Sequence, residues 1–273
     1  MKSILLTFDL EEFDLPKEQK VHIDSEEMYK TSIKGLTNLL LVLNKHNIQA
    51  TFFTTANFAN KYPETIKQLS RNHEIASHGY SHSEPLTLSN IKKAKEIKEE
   101  IINKQIRGFR APRWNIKDTN IVDQADFEYD SSSHPIYLPG RYNNLHQTRY
   151  PHIQNNLIEL PASTIRPNFS AFWLAFKNLP LSYTKTFTKL NFLNSKYTML
   201  IQHPWEFANL EKIKIPKYIK NPCGKRLIRK LENYIRFCKK NNYKFQTCEQ
   251  FLKKHLIKQY LKPIQAMQLE KKF

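Results

Sequence analysis

The sequence predicts an α/β chain with a mostly parallel sheet covered by helices. Two observations carry that reading. Strand-like and helix-like segments alternate at least six times with short links. Chemically competent residues fall just after the strand-like segments, as they do at the carboxyl end of a parallel barrel. Residues 4–8 are β-branched and aromatic enough for a buried strand, which runs into Asp9-Leu10-Glu11-Glu12. From about residue 26 to 47, Ile33, Leu36, Leu39, Leu40 and Leu43 recur at helical spacing. Residues 50–54 form the next strand. Asn57 is the expected cap of a helix carrying Phe58, Tyr62, Ile66 and Leu69. Residues 74–77 lead as a short strand to His78. Thr87 or Ser89 opens a charged helix through Ile91, Ala94, Ile97 and Ile101. Residues 108–111, 127–131, 157–160 and 197–202 read as further strands, 225–240 as a late helix and 243–247 as a last strand. Residues 134–148 show no period and are expected to be a loop over one rim.

With 273 residues, 40% of them hydrophobic and 12% aromatic, the chain can bury a sizeable core, which excludes global disorder. Five glycines exclude collagen-like repeats. Apolar runs such as residues 39–43 are too short to span a bilayer. The apolar stretch at the N-terminus is too short for a signal peptide, so a cytoplasmic location is expected. Cys223, Cys238 and Cys248 form no C-x-x-C pair, so neither a disulfide framework nor a zinc knuckle follows. The net charge is +18, but the lysines are spread along the chain as solvated helix faces, and no nucleic-acid partner is expected. Only the end of the chain is locally dense in them. The organisation expected is one domain over residues 1–255 and a basic tail over 256–273. That tail, with Ile257, Leu261, Ile264 and Leu269, is a candidate helix packed on the domain or resting on an anionic membrane surface.

Carboxylates, imidazoles and a guanidinium gather at the strand ends: Asp9 and Glu11, His78 and His82, Arg110, Asp130, and His203. The spacing H-x-x-x-H would bring both imidazoles to one side if the segment made one helical turn, where they would share a metal. An isolated pair at this spacing is more often two hydrogen-bonded loop histidines; a carboxylate from another strand shifts the balance toward a metal site with an open position. Residues 9–12 supply that carboxylate. Adjacent acids repel unless a cation compensates, so one would bind the ion and another serve as base. Arg110 beside a carboxylate would keep it ionised. His203 is placed to protonate a leaving amine, and Asp130 to hold a histidine tautomer or to cap a turn.

In chain order, Thr7-Phe8-Asp9, the His78/His82 pair, Arg110-Ala111-Pro112, Asp130 and Leu200-Ile201-Gln202-His203 resemble the five motifs of the polysaccharide deacetylases, carbohydrate esterase family 4. The likeness spans roughly residues 3–206. Phe109-Arg110-Ala111-Pro112, residues 160–164 and His203-Pro204-Trp205-Glu206 look closest to the branch associated with exopolysaccharide and cell-surface glycans. The resemblance implies a distorted (β/α) barrel of seven or eight strands and removal of acetyl groups with one divalent metal, usually zinc. Asp9 would be the general base, oriented by Arg110, and His203 the general acid, tuned by Asp130. His78 and His82 would be metal ligands. Most of the family has two adjacent aspartates in the first motif; here Leu10 follows Asp9, so the third ligand is assigned to Glu11, with Glu12 as runner-up.

The substrate implied is an acetylated glycan, held by Trp114, Arg113 and Trp205, with Trp173 nearby and a backbone N–H between residues 111 and 113 facing the oxyanion. Two alternatives stand beside this reading: a metal-dependent amidohydrolase on a small C–N substrate, and a catalytically inactive glycan-binding relative.

Overall fold

The computed structural model describes residues 1–255; the basic tail, 256–273, and the membrane contact expected of it lie outside the described residues. The chain opens with β1 (Ser3–Leu10), α1 (Leu15–Glu18), α2 (Ser25–Lys45), β2 (Thr51–Thr54), α3 (Ala56–Lys61), α4 (Pro63–Leu69) and β3 (Glu74–Ser77). It continues with α5 (Leu88–Ile102), β4 (Gly108–Phe109), α6 (Asn120–Asp123) and β5 (Tyr129–Asp130). Three short pairs follow: β6 (Tyr137–Leu138) with β7 (Tyr142–Asn143), β8 (His152–Gln154) with β9 (Leu157–Glu159), and β10 (Thr164–Ile165) with β11 (Phe169–Ser170). The last part holds α7 (Trp173–Asn178), α8 (Leu181–Asn194), β12 (Tyr197–Gln202), α9 (Lys217–Lys220), α10 (Gly224–Lys240), β13 (Lys244–Phe245) and α11 (Cys248–His255).

Most expected elements stand within a few residues of their predicted places. Three local readings change. Thr55, not Asn57, caps α3: its backbone is extended and its Oγ1 accepts from Phe58 N. Pro63 then breaks the single expected helix into α3 and α4, because proline opens a new helix more easily than it continues an old one. Residues 134–148 are not wholly irregular, since β6 and β7 form a small hairpin over the rim.

The main sheet runs β12-β1-β2-β3-β4-β5-β9, all parallel, with β8 turning back antiparallel and β13 pairing the start of β1. Its strands are buried on both faces, so they read as near-continuous apolar runs. Alternation along β1 sorts its side chains. Ile4, Leu6, Phe8 and Leu10 join the core under the helices. Leu5 joins a separate cluster with Phe53, Tyr129, Tyr197, Met199 and Ile201. Cys248, Phe251 and Leu252 of α11 pack into that second cluster and fill it.

No ladder joins β9 to β12 among the described residues. The stretch after β9 bridges the two ends by side chains instead. Tyr197 Oη donates to Pro161 O at 2.5 Å, and Met199 N donates to Ser163 Oγ at 2.9 Å. No helix among the described residues is long and apolar enough to cross a membrane.

α2 packs directly on residues 204–207, the short helical turn that follows β12. Gly35 permits this contact: a Cβ there would lie 2.0 Å from Pro204 O. Gly35→Ala is therefore expected to cost about 2–3 kcal/mol, the scale of overpacking a tight core. A fall in the denaturant midpoint with an unchanged slope would register it.

Candidate active site

The acidic start of the site follows from strand alternation. Thr7, Asp9 and Glu11 point to one side of β1 and its continuation, while Leu10 points into the helix-facing core. The residue separating the two acids is thus the one the pleat turns away. Arg110, wholly buried, sits opposite them just past β4. Its Nη1 donates to Asp9 Oδ1 at 2.7 Å and to Thr7 Oγ1 at 3.1 Å. Its Nε and Nη2 donate to Ser131 O and Ser131 Oγ, and its plane covers the Phe53 ring at 3.9 Å. Asp9 is therefore fixed in rotamer and charge-paired, while still lining the central pocket.

Glu11, His78 and His82 bring one ligand atom each within 4.8 Å of one another. Glu11 Oε2 lies 2.6 Å from His82 Nε2 and 3.4 Å from His78 Nε2. Glu11 Oε2 and His82 Nε2 are buried, yet neither makes a well-formed hydrogen bond. The remaining atoms of all three residues are committed elsewhere. His78 Nδ1 pairs with Arg110 O at 2.8 Å and His82 Nδ1 with Asp14 Oδ1 at 3.1 Å, which leaves both Nε2 lone pairs aimed inward. Glu11 Oε1 accepts from Trp205 Nε1 at 3.3 Å. Two imidazole nitrogens and one carboxylate oxygen are the donor set of an open divalent-cation site, so these residues fit such an ion. In the chain alone, burial would raise Glu11, but His82, His78 and His203 hold it well below the ordinary carboxylate range. Burial would lower His82, and Glu11 with Asp14 lifts it well above the ordinary imidazole range.

The two histidines meet without a helical turn. Residues 78–82 form a loop in which Gly79 adopts φ +68°, the left-handed region that glycine tolerates. Glu12, the runner-up ligand, is buried and accepts from Thr55 Oγ1 at 3.0 Å. It is held at the start of α3 rather than beside the histidines. Lys98 lies wholly buried beneath the same loop, 3.4 Å from Gly79 O, and burial lowers it to about 7.

His203 follows β12 and faces the pocket from the other side. Its carboxylate partner is Glu206, not Asp130. Glu206 Oε1 lies 3.1 Å from His203 Nδ1 and accepts from His203 N at 2.8 Å. Glu206 Oε2 lies 3.3 Å from Lys177 Nζ, and both side chains are fully buried. Burial would raise Glu206, but Lys177 and His203 hold it below its usual range. Burial would lower His203; Glu206, Glu11 and Asp9 raise it instead.

Trp205, expected at the substrate, is 1% exposed and stacks on His203 at 4.9 Å. It positions Glu11 and His203 from behind. Trp173 meets His203 edge-on at 5.3 Å and lines the pocket.

Asp130 ends β5, and its register partner is Glu159 of β9. Burial raises both carboxyls, and Asp130 pairs with Ser132 rather than reaching His203. Ser132 Oγ donates to Asp130 Oδ1 at 2.5 Å and accepts from Ala111 N at 2.8 Å. The Ala111 N–H is thereby taken and does not face an oxyanion.

The pocket that holds Asp9, Glu11, His78, His82 and His203 has a volume of about 320 Å³. Arg113 and Trp114 line it and also line an adjoining cavity of about 1010 Å³.

The model of the family described as polysaccharide deacetylase matches residues 1–131, the stretch that carries Asp9, Glu11, both histidines, Arg110 and Asp130. A peptidoglycan deacetylase of Helicobacter pylori is 28% identical over 107 residues, which is 36% of this chain and 36% of that protein. The chain therefore aligns with about a third of the length of this curated relative. A solved structure from Mycobacterium smegmatis, described under the polysaccharide deacetylase name, superposes with TM-score 0.64 at 18% identity, covering 95% of this chain and 91% of that one. An allantoinase structure superposes with TM-score 0.65 at 15% identity, covering 93% and 91%. These two structures share the fold.

Sequence reasoning missed Asp14, Glu206 as a histidine partner, and Lys177. Asp14 lies only three residues beyond Glu11, but its link to His82 is made by a fold that no local pattern reports. Asp14→Asn is expected to weaken divalent-metal affinity about 10- to 100-fold, as loss of a carboxylate behind a ligating imidazole does. Metal titration of the apo-protein would measure it, and an unchanged affinity would refute the assignment.

Proposed function

We propose that the chain removes acetyl groups, N-linked ones foremost, from a cell-surface or exopolysaccharide glycan, and that it does so with a divalent metal ion, zinc first among the choices. One observation carries the reading: an arginine-held aspartate and a carboxylate-backed histidine flank an inward-facing Glu/His/His set in one pocket. A divalent ion held by Glu11, His78 and His82 would polarise the acyl oxygen and acidify the hydrolytic water.

The chain's own residues do the rest. Asp9 accepts the proton of the attacking water, and Arg110 holds it aimed. Protonated His203 delivers a proton to the departing amine, so that water is divided between acetate and the free amino sugar. Glu206 sustains the imidazolium, and Lys177 keeps Glu206 ionised in a fully buried setting. With the Ala111 N–H occupied, the oxyanion donor in this segment falls to the N–H of Arg113. The neighbouring polar cavity favours an oligosaccharide over a small cyclic amide, which would need a sealed pocket.

Acetate release from N-acetylated oligosaccharides, with and without exhaustive chelation, tests the function. Activity that survives complete metal removal would overturn it, and a chain that binds no metal would be a glycan-binding relative without catalysis. The acid has its own test. His203 must be protonated to act, so kcat falls as pH rises through its pKa. Glu206→Gln removes what raises that pKa, so the alkaline limb of the kcat profile is expected to move to lower pH, with kcat reduced about 10²- to 10⁴-fold. A limb that stays in place would remove His203 from the acid role.

A further inference from the structure

The central pocket and the adjoining cavity meet at a partition lined on both sides by Glu18, Arg113, Trp114, Arg141 and Tyr142. Its polar part is a single motif. Arg113 Nη2 lies 2.7 Å from Glu18 Oε1, and Arg141 Nη2 donates to Glu18 Oε2 at 3.2 Å. One carboxylate is thus seated between two guanidiniums, one oxygen to each.

Two features separate this arrangement from an ordinary surface ion pair. Arg113 and Trp114 both hold left-handed backbone, φ +57° and +52°, which is costly for side-chain-bearing residues and persists where the surroundings enforce it. Arg113 also reaches Asp14 Oδ2 at 3.4 Å, the carboxylate that orients His82. Glu18 makes the closer contact to Arg113 and the contact to Arg141, while Asp14 is divided between His82 and a longer contact to Arg113.

We infer that the partition is a carboxylate-binding site, that Glu18 fills it when no ligand is bound, and that the preferred substrate is a glycan whose sugar beside the acetylated unit carries a carboxylate. The glycan passes from the central pocket into the second cavity, and its carboxylate replaces that of Glu18 between Arg113 and Arg141. The inference rests on the deacetylase reading of the central pocket. Its own content is the anionic substituent.

The probes are an N-acetylhexosamine oligosaccharide whose neighbouring sugar is a uronic acid, and the methyl ester of the same compound. Calorimetric binding to the full metal-loaded chain needs no turnover. The wild-type protein is expected to bind the acid about tenfold more tightly than the ester, with the preference shrinking as salt rises. Arg141→Gln abolishes the preference and Arg141→Lys restores only part of it. Glu18→Gln strengthens binding of the acid, which loss of a merely structural ion pair would not do. Equal affinity for acid and ester, or weaker acid binding by Glu18→Gln, overturns the inference. Acetate release from both probes alike leaves the deacetylase reading standing without the carboxylate site. Acid preference without acetate release has the opposite meaning.

Discussion

A fully buried guanidinium governs the architecture of the site. Arg110 has no exposed surface, so its charge and its donors must be satisfied from within the protein. Asp9 supplies the charge, and Thr7, Ser131 and the Phe53 face supply the rest. Those partners come from β1, β2 and the end of β5, so one side chain ties three strands together at the rim. The backbone of the same residue acts separately: its carbonyl fixes the Nδ1 side of His78 and thereby leaves Nε2 for a cation. The proposed general base and a proposed metal ligand thus take their positions from one residue.

The fold was legible because a parallel sheet covered by helices writes a coarse, repeated signal. β12 occupies the residues expected of it, and α5 begins after Thr87, one of the two openings expected for it, the other being Ser89. Hairpins as short as β6 and β7 write no such signal. The placement of the candidate site residues was legible where they follow strand ends, as with His78, Arg110 and His203. It was illegible where a partner is set by the path of a loop. His82 reaches Asp14 because Gly79 turns the chain in the left-handed region, which the H-x-x-x-H spacing read as a helical turn. Asp130 has the residue type to hold a histidine, yet its register neighbour across the sheet is Glu159. Glu206, three residues beyond His203, holds that histidine, and Lys177, brought in from α7, completes the buried triad.

Trp205 shows why residue type alone is a weak guide to role. A tryptophan near a carbohydrate site suggests a sugar platform, yet this one spends its ring on His203 and its N–H on Glu11. It borders the central pocket, but at 1% exposure most of its face is covered by these neighbours. Its contacts hold the side chains of Glu11 and His203 at once.

The segment from Asp9 to Glu18 gathers five carboxylates in a chain that is otherwise strongly basic. Repulsion among them is relieved by giving each a partner, some of them shared: Arg110 for Asp9, the histidines for Glu11, Thr55 for Glu12, His82 for Asp14, and the arginine pair for Glu18. The partners form a connected series. Arg113 touches both Glu18 and Asp14, Asp14 touches His82, and His82 faces Glu11. A group that displaces Glu18 from Arg113 therefore acts two contacts away from the metal-ligand set. Rearrangement at the partition need not travel through the barrel to reach the reacting centre, because the acidic segment already joins the two.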